Sequence, residues 1–222
     1  MDRKPNLKYI MTFEGNTEKF YFQHLQKLIN QNPNASCTVS IKCEVNQKPI
    51  STYKKLHNIN NSIVYHICDV ESNISEHQKK FQNIINELAN APKIAGIKKA
   101  ELYYTNFTFE LWLILHKADC FSAYPHRDKY LKPLNDAYKT DFESLNKFKS
   151  EPNIKKCLDK ITLDDVLKAI ERAKKIMHNR ENNSQPTYYP SNKKDGVTYY
   201  EDNPSLNIHN LIEKILKDCG IK

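Results

Sequence analysis

Only four glycines occur in the 222 residues, and no glycine-rich loop of the kind that cradles nucleotide phosphates is present, which sets aside small-phosphate transfer or hydrolysis as a function. No apolar run approaches the roughly 20 residues needed to span a bilayer. The opening "MDRKPNLKY" passes from polar residues directly into a strand-like run, which is not the pattern of a signal peptide, and the expectation is a cytoplasmic protein without membrane contact. Cys37, Cys43, Cys68, Cys120, Cys157 and Cys219 form no CxxC pair and no zinc-like Cys/His spacing. Several lie inside apolar runs such as "IVYHICDV", so they are expected to be small core hydrophobes rather than bridges or metal ligands. No internal repeat is seen.

What is present is positive charge and an alternation of elements. Lys and Arg number 34 against 26 Asp and Glu, a net charge of +8, spread over both halves without a basic tail. Such a surface favours a polyanionic partner but does not by itself identify one. "LKYIMTF" (7–13) reads as a strand and "TEKFYFQHLQKLINQ" (17–31) as a helix, with Phe20, Leu25, Leu28 and Ile29 at helical spacing and Asn16 or Thr17 as its cap. "CTVSIKCEV" (37–45), "SIVYHICDVES" (62–72) and "AELYYTN" (100–106) read as further strands, with helices over about 74–90 and 109–118. Strands separated by helices predict an α/β fold with a mostly parallel sheet covered on both faces. From about residue 119 the pattern turns helical, clearest in "TLDDVLKAIERAKKIMHN" (162–179), capped by Thr162 with Asp164 and Asp165 in its first turn. A polar stretch at about 180–203 has the composition of a long loop, and a final helix stops at Gly220. Two parts are expected: 1–120 as the sheet domain and 121–222 as a helical C-terminal extension packed against it.

The acids at the strand ends carry the chemistry. Glu14 closes the first strand, with Gly15 directly after it allowing a tight turn and close approach of a phosphate. Asp69 and Glu71 close the "IVYHIC" strand, and as residues i and i+2 they project together if the strand continues. Glu110 follows the "LYYTN" strand and Glu18 lies one helical turn beyond Glu14. In a parallel α/β sheet, ligands gather at the carboxyl ends of the strands, and carboxylates brought together there repel unless a cation or basic group joins them. Oxygen ligands of this kind suit Mg²⁺, with Mn²⁺ as the alternative.

These residues also form a family pattern. "FEGNTEKFYF" followed by "DVE" resembles the Toprim fold, and "EGNTEKFYF" (14–22), "TNFTFELWLILH" (105–116) and "NPSLNIHNLIEKI" (203–215) together resemble the RloB-like Toprim family over nearly the whole chain. The resemblance implies Glu14 as the principal catalytic acid, Asp69 and Glu71 as metal ligands together with Glu14, and Glu18 and Glu110 as supporting acids. Glu71 stands where the family commonly has Asp, and Thr105-Asn106-Phe107 stands where it commonly has Ser-Asn-Pro. The implied activity is nuclease action in bacterial anti-phage defence, usually beside an ATPase partner or restriction genes; related Toprim effectors cut transfer RNA.

Under that reading Glu14 serves as general base or general acid, with one or two metal ions, on RNA in preference to DNA. Positive charge for the phosphate is expected from Arg172, Lys174 and Lys175 on their helix, from Arg180, and from Lys193-Lys194, although helical lysines serve equally as a solvated face. Tyr188, Tyr189, Tyr199 and Tyr200 interleave with these bases and could stack on unpaired bases or form an interface. His116 and His209 are either core histidines or phosphate-binding groups at the site edge. Trp112 is expected in the core. The alternative function is a non-catalytic nucleic-acid- or ATPase-binding subunit with a structural cation site; homo-oligomers are compatible with either.

Overall fold

The computed structural model describes residues 4–57, 59–71, 74–190 and 196–221. Strand β1 (Asn6–Phe13) leads into helix α1 (Asn16–Gln31), then β2 (Thr38–Val45), the short α2 (Pro49–Tyr53), β3 (Ser62–Asp69), α3 (Ser75–Leu88), β4 (Ile97–Asn106) and α4 (Glu110–Leu115). A second run of helices follows: α5 (Leu131–Tyr138), α6 (Leu145–Phe148), α7 (Glu151–Leu158) and α8 (Leu163–Asn183). The chain ends in a hairpin, β5 (Thr187–Pro190) and β6 (Gly196–Tyr199), then β7 (Ser205–Leu206) and α9 (Ile208–Asp218).

The sheet order is β2-β1-β3-β4-β7. Pairings β1–β2, β1–β3 and β3–β4 are parallel, while β7 returns antiparallel on β4 through Thr105–Leu206 and Asn106–Ser205. The mostly parallel α/β architecture expected from the strand–helix alternation is present. β1 is interior, but β3 holds the middle place. Because the chain runs from β1 outward to β2 and then crosses to β3 on the other side, the order reverses between β1 and β3, the place where parallel α/β sheets bind ligands at the strands' carboxyl ends.

Helices cover both faces. On one, Met11, Phe13 and Ile67 of the sheet pack with Tyr21, Phe22, Leu25 and Ile29 of α1, and the same cluster runs on through Trp112, Tyr138, Ile154, Val166 and Ile212. On the other, Val64, Cys68 and Tyr104 meet Tyr53 of α2 and Phe81, Ile84, Ile85 and Leu88 of α3. Amide side chains meet part of the free backbone on β2 and on β4 where the short β7 does not reach. Asn30 of α1 donates to Val39 O and accepts from Val39 N–H, with Gln26 accepting from Ile41 N–H. On β4, just before the two residues that β7 pairs, Asn207 accepts from Tyr104 N–H at 2.7 Å and donates to Leu102 O at 3.4 Å.

Several local expectations change. Helix α1 has Gly15 at its N-cap with no side-chain cap, so neither Asn16 nor Thr17 plays that part. α8 does begin with the Thr162 cap, as a box in which Thr162 accepts from Asp165 N–H and Asp165 accepts from Thr162 N–H. It runs on to Asn183, and the stretch read as a long loop holds the β5–β6 hairpin. Tyr199 and Tyr200 are buried, Tyr199 against Phe81 at 5.0 Å, whereas Tyr188 is exposed; Lys193 and Lys194 lie outside the described residues, as does the side chain of Tyr189. Cys37 and Cys219 pair as a disulfide joining the start of β2 to the end of α9, which corrects the expectation for those two. The other four are free: Cys68, Cys120 and Cys157 are buried and Cys43 is partly so. Among the described residues no helix is long and apolar enough to cross a membrane.

Candidate active site at the carboxyl ends of the strands

Glu14 and Asp69 end the two strands that flank the reversal of order, and the structure joins them: Glu14 Oε2 accepts the Asp69 N–H at 3.1 Å, and Glu14 N–H bonds Ile67 O at 3.1 Å. Asp69 Oδ1 accepts from the Thr105 hydroxyl at 2.6 Å, so β4 steadies the acid of β3. Glu18, in the first turn of α1, is 3% exposed, and Glu110, in the first turn of α4, is wholly buried. Glu110 Oε2 accepts from the Thr108 hydroxyl, and its Oε1 faces Lys149 Nζ at 3.5 Å.

The electrostatics show these acids sharing one environment. Burial, then the charges of Glu18, Glu14 and Glu110, push Asp69 well above the usual carboxylate range, with Lys149 opposing. Burial likewise raises Glu18 to about 7; Glu110 and Glu14 add to the rise, while its own backbone N–H and Lys149 oppose it. Partial burial works against the Lys149 ammonium, yet Glu110, Asp69 and Glu18 hold its pKa above the ordinary lysine value.

Gly15 is extended (φ −135°, ψ 175°), so no left-handed turn requires glycine there. A Cβ at this position would lie 3.0 Å from Glu18 Oε2. The close approach that Gly15 permits is that of the Glu18 carboxylate. Glu71 also departs from expectation: β3 stops at Asp69, and Glu71 adopts φ +62°, a left-handed conformation that costs a non-glycine residue about 1 kcal/mol or more. Strand alternation therefore does not pair it with Asp69. Its carboxylate turns instead to His77 at 3.0 Å, Lys80 at 3.6 Å and Arg127 at 4.0 Å. Lys80 also bonds Glu14 Oε1, so one ammonium joins Glu14 to Glu71.

The remaining candidates have other partners. His116 Nδ1–H donates to Trp112 O at 2.9 Å and its Nε2 accepts from Tyr21 O–H at 3.2 Å, deep in the core. Arg172 binds Asp119 and Leu115 O, Lys174 binds Glu213, and Arg180 binds Pro204 O and Asn203 O. These bases tie α8 to α4, to α9 and to the turn before β7. His209 is buried in the first turn of α9. The bases that do meet the carboxylates, Lys80, Arg127 and Lys149, and the hydroxyls Thr105 and Thr108, were not singled out from the sequence. Each base lies in an ordinary polar stretch, and apart from Lys80 and Glu71 each is far along the chain from the acid it meets.

The donor set suits a hard divalent cation by its chemistry, since it is all carboxylate oxygen. Glu14, Glu18, Asp69, Glu71 and Glu110 also outnumber the permanently cationic Lys80, Arg127 and Lys149 set against them. Among the described residues, however, no three His, Cys, Asp or Glu side chains are gathered closely enough to hold a metal ion, so binding would have to draw them inward.

The fold is therefore of the mostly parallel α/β class, with acids whose pKa values are raised by burial and by one another where the strand order reverses. The chain matches the family model described as RloB-like protein over residues 9–215, and it belongs to that family. No curated protein and no solved structure matches it.

Proposed function

We propose that this RloB-like protein is a Toprim-type, Mg²⁺-dependent nuclease of bacterial anti-phage defence, acting on RNA in preference to DNA and working beside an ATPase partner. The observation that carries the reading is the convergence of Glu14, Glu18, Asp69 and Glu110 where the strand order reverses, with Asp69 and Glu18 held above the normal carboxylate range by burial and by one another. Glu14 and Asp69 would hold the ion, with Glu71 joining them once its carboxylate turns from His77, Lys80 and Arg127. When bound, it supplies charge stabilisation at a non-bridging phosphate oxygen. The protein's own groups divide the remaining work. Glu14, fixed by the Asp69 N–H and Lys80, moves the proton at the attacking or leaving oxygen. Glu18, with a pKa of about 7, exchanges a proton near neutral pH and adjusts the charge around Glu14. Thr105 and Thr108 orient Asp69 and Glu110 through their hydroxyls.

Glu14→Gln keeps the shape of the side chain and removes its charge. It is expected to lower cleavage of RNA by at least about 100-fold, the usual size of a lost proton-transfer group, and to relieve toxicity in expressing cells. Chelation should abolish cleavage, and added Mg²⁺ or Mn²⁺ should restore it. Sequencing of nucleic acid ends after brief expression distinguishes RNA cuts from DNA cuts. Cleavage and toxicity that survive the substitution would overturn the catalytic role of Glu14, whereas a parent protein that binds nucleic acid or an ATPase but cuts nothing with Mg²⁺ would favour the non-catalytic subunit.

A further inference from the structure

Beside the carboxylates lies a cleft of about 430 Å³ whose walls include Arg127, Ser144, Asn146 and Lys149. It is formed by the turn Arg127–Tyr130 and by the residues around α6, on the helical side of the molecule. We infer that this cleft receives the sugar-phosphate backbone of a nucleic-acid strand, with Lys149 contacting the phosphate nearest the carboxylates and Arg127 a neighbouring one. The inference rests on reading the carboxylates as a phosphodiester-cleaving site and adds where the substrate lies and which side chains grip it.

Three observations support it. First, Arg127 and Lys149 line the cleft and also reach the acids: Arg127 Nη1 is 4.0 Å from Glu71 and Lys149 Nζ is 3.5 Å from Glu110. A phosphate approaching several carboxylates is repelled unless cations stand between them, and these two occupy that position. Second, Arg127 and Lys149 are partly open to solvent, with 44% and 38% of their side chains accessible, while a residue in each backbone segment is anchored. Tyr130 closes the turn that carries Arg127, Phe148 directly precedes Lys149, and both aromatics are wholly buried. Such anchoring fixes the backbone from which each cation projects, which lowers part of the ordering cost of binding. Third, the volume falls in the range of small-ligand sites and suits about one nucleotide unit. Of the two acids on the cleft wall, Asp128 and Glu143, the former lies 3.1 Å from His126.

The test is anisotropy of short fluorescein-labelled single-stranded RNA and DNA with the full chain, in EDTA so that nothing is cut, over a potassium chloride series. Arg127→Met should weaken binding about tenfold and reduce the slope of log affinity against log salt by about 0.7, the value for one phosphate contact on a single strand. Lys149→Met should do the same; because it strands the buried Glu110, the pair Lys149→Met with Glu110→Gln is measured beside it and should bind as weakly. Lys174→Met, whose side chain is occupied by Glu213, should bind as the parent does. Unchanged affinity and slope in both Arg127→Met and the double variant would overturn the inference, as would a parent protein that binds neither nucleic acid. The two readings separate cleanly. A parent that binds through Arg127 and Lys149 yet cuts nothing with Mg²⁺ keeps the cleft and loses the nuclease, whereas cutting with unchanged binding in the variants does the reverse.

Discussion

Glu18 and Gly15 form a unit in which one residue's lack of a side chain makes room for the other's carboxylate. Gly15→Ala would place a Cβ 3.0 Å from Glu18 Oε2. Since the obstructed atom is the end of a flexible side chain and the backbone is ordinary, the melting temperature should change little while cleavage falls; a large stability loss with normal activity would contradict this account. The buried histidines set a separate pH dependence. Burial first of all depresses His66 and His116 to about 3 and His209 to about 4. A group with a depressed folded pKa contributes stability that is present above its unfolded value, near 6.5, and lost as pH falls toward the folded value, because the unfolded chain takes up the proton first. Urea unfolding should therefore show stability dropping between about pH 6.5 and 4, by up to roughly 1.4 kcal/mol per histidine per pH unit. His116→Gln should flatten that slope by about a third. Glu18 and Asp69, whose pKa values are raised, act with the opposite sign, so the slope is best read as the difference between parent and variant.

At the scale of elements, the strand ends were readable in advance because chemistry and topology point to one place. A strand that finishes in Glu-Gly, a second that finishes in Asp, and the rule that parallel sheets bind at their carboxyl ends locate Glu14 and Asp69 together. Glu71 was not readable: nothing in "DVES" signals a left-handed residue, so alternation put it on the wrong footing. The hairpin β5–β6 was hidden by its polar composition, and the buried Tyr199 looks in sequence like the exposed Tyr188. Helix α8 was legible from its cap because Thr162 and Asp165 satisfy N–H groups that the first turn leaves free. Thr162→Ala should cost about 1 kcal/mol in denaturant unfolding. Trp112, wholly buried on α4 against Tyr21 and His116, should cost about 3–5 kcal/mol on truncation to Ala.

For the whole molecule, the helical half is part of the candidate site as well as its support. Lys149 and Arg127 come from it, and β7 of the same half completes the sheet beside Thr105 and Asn106. The disulfide spans 182 residues, so reduction should destabilise the protein by up to about 5 kcal/mol on a chain-entropy account, measurable as a lower melting temperature in dithiothreitol that is absent from a Cys37→Ser/Cys219→Ser variant. The asparagines at the two sheet margins bear on how the molecule meets others. Asn30 and Asn207 fill hydrogen-bonding positions that a neighbouring strand would otherwise take. At those positions the backbone is already satisfied, so a peptide or second copy adding a strand there would have to displace the asparagine first.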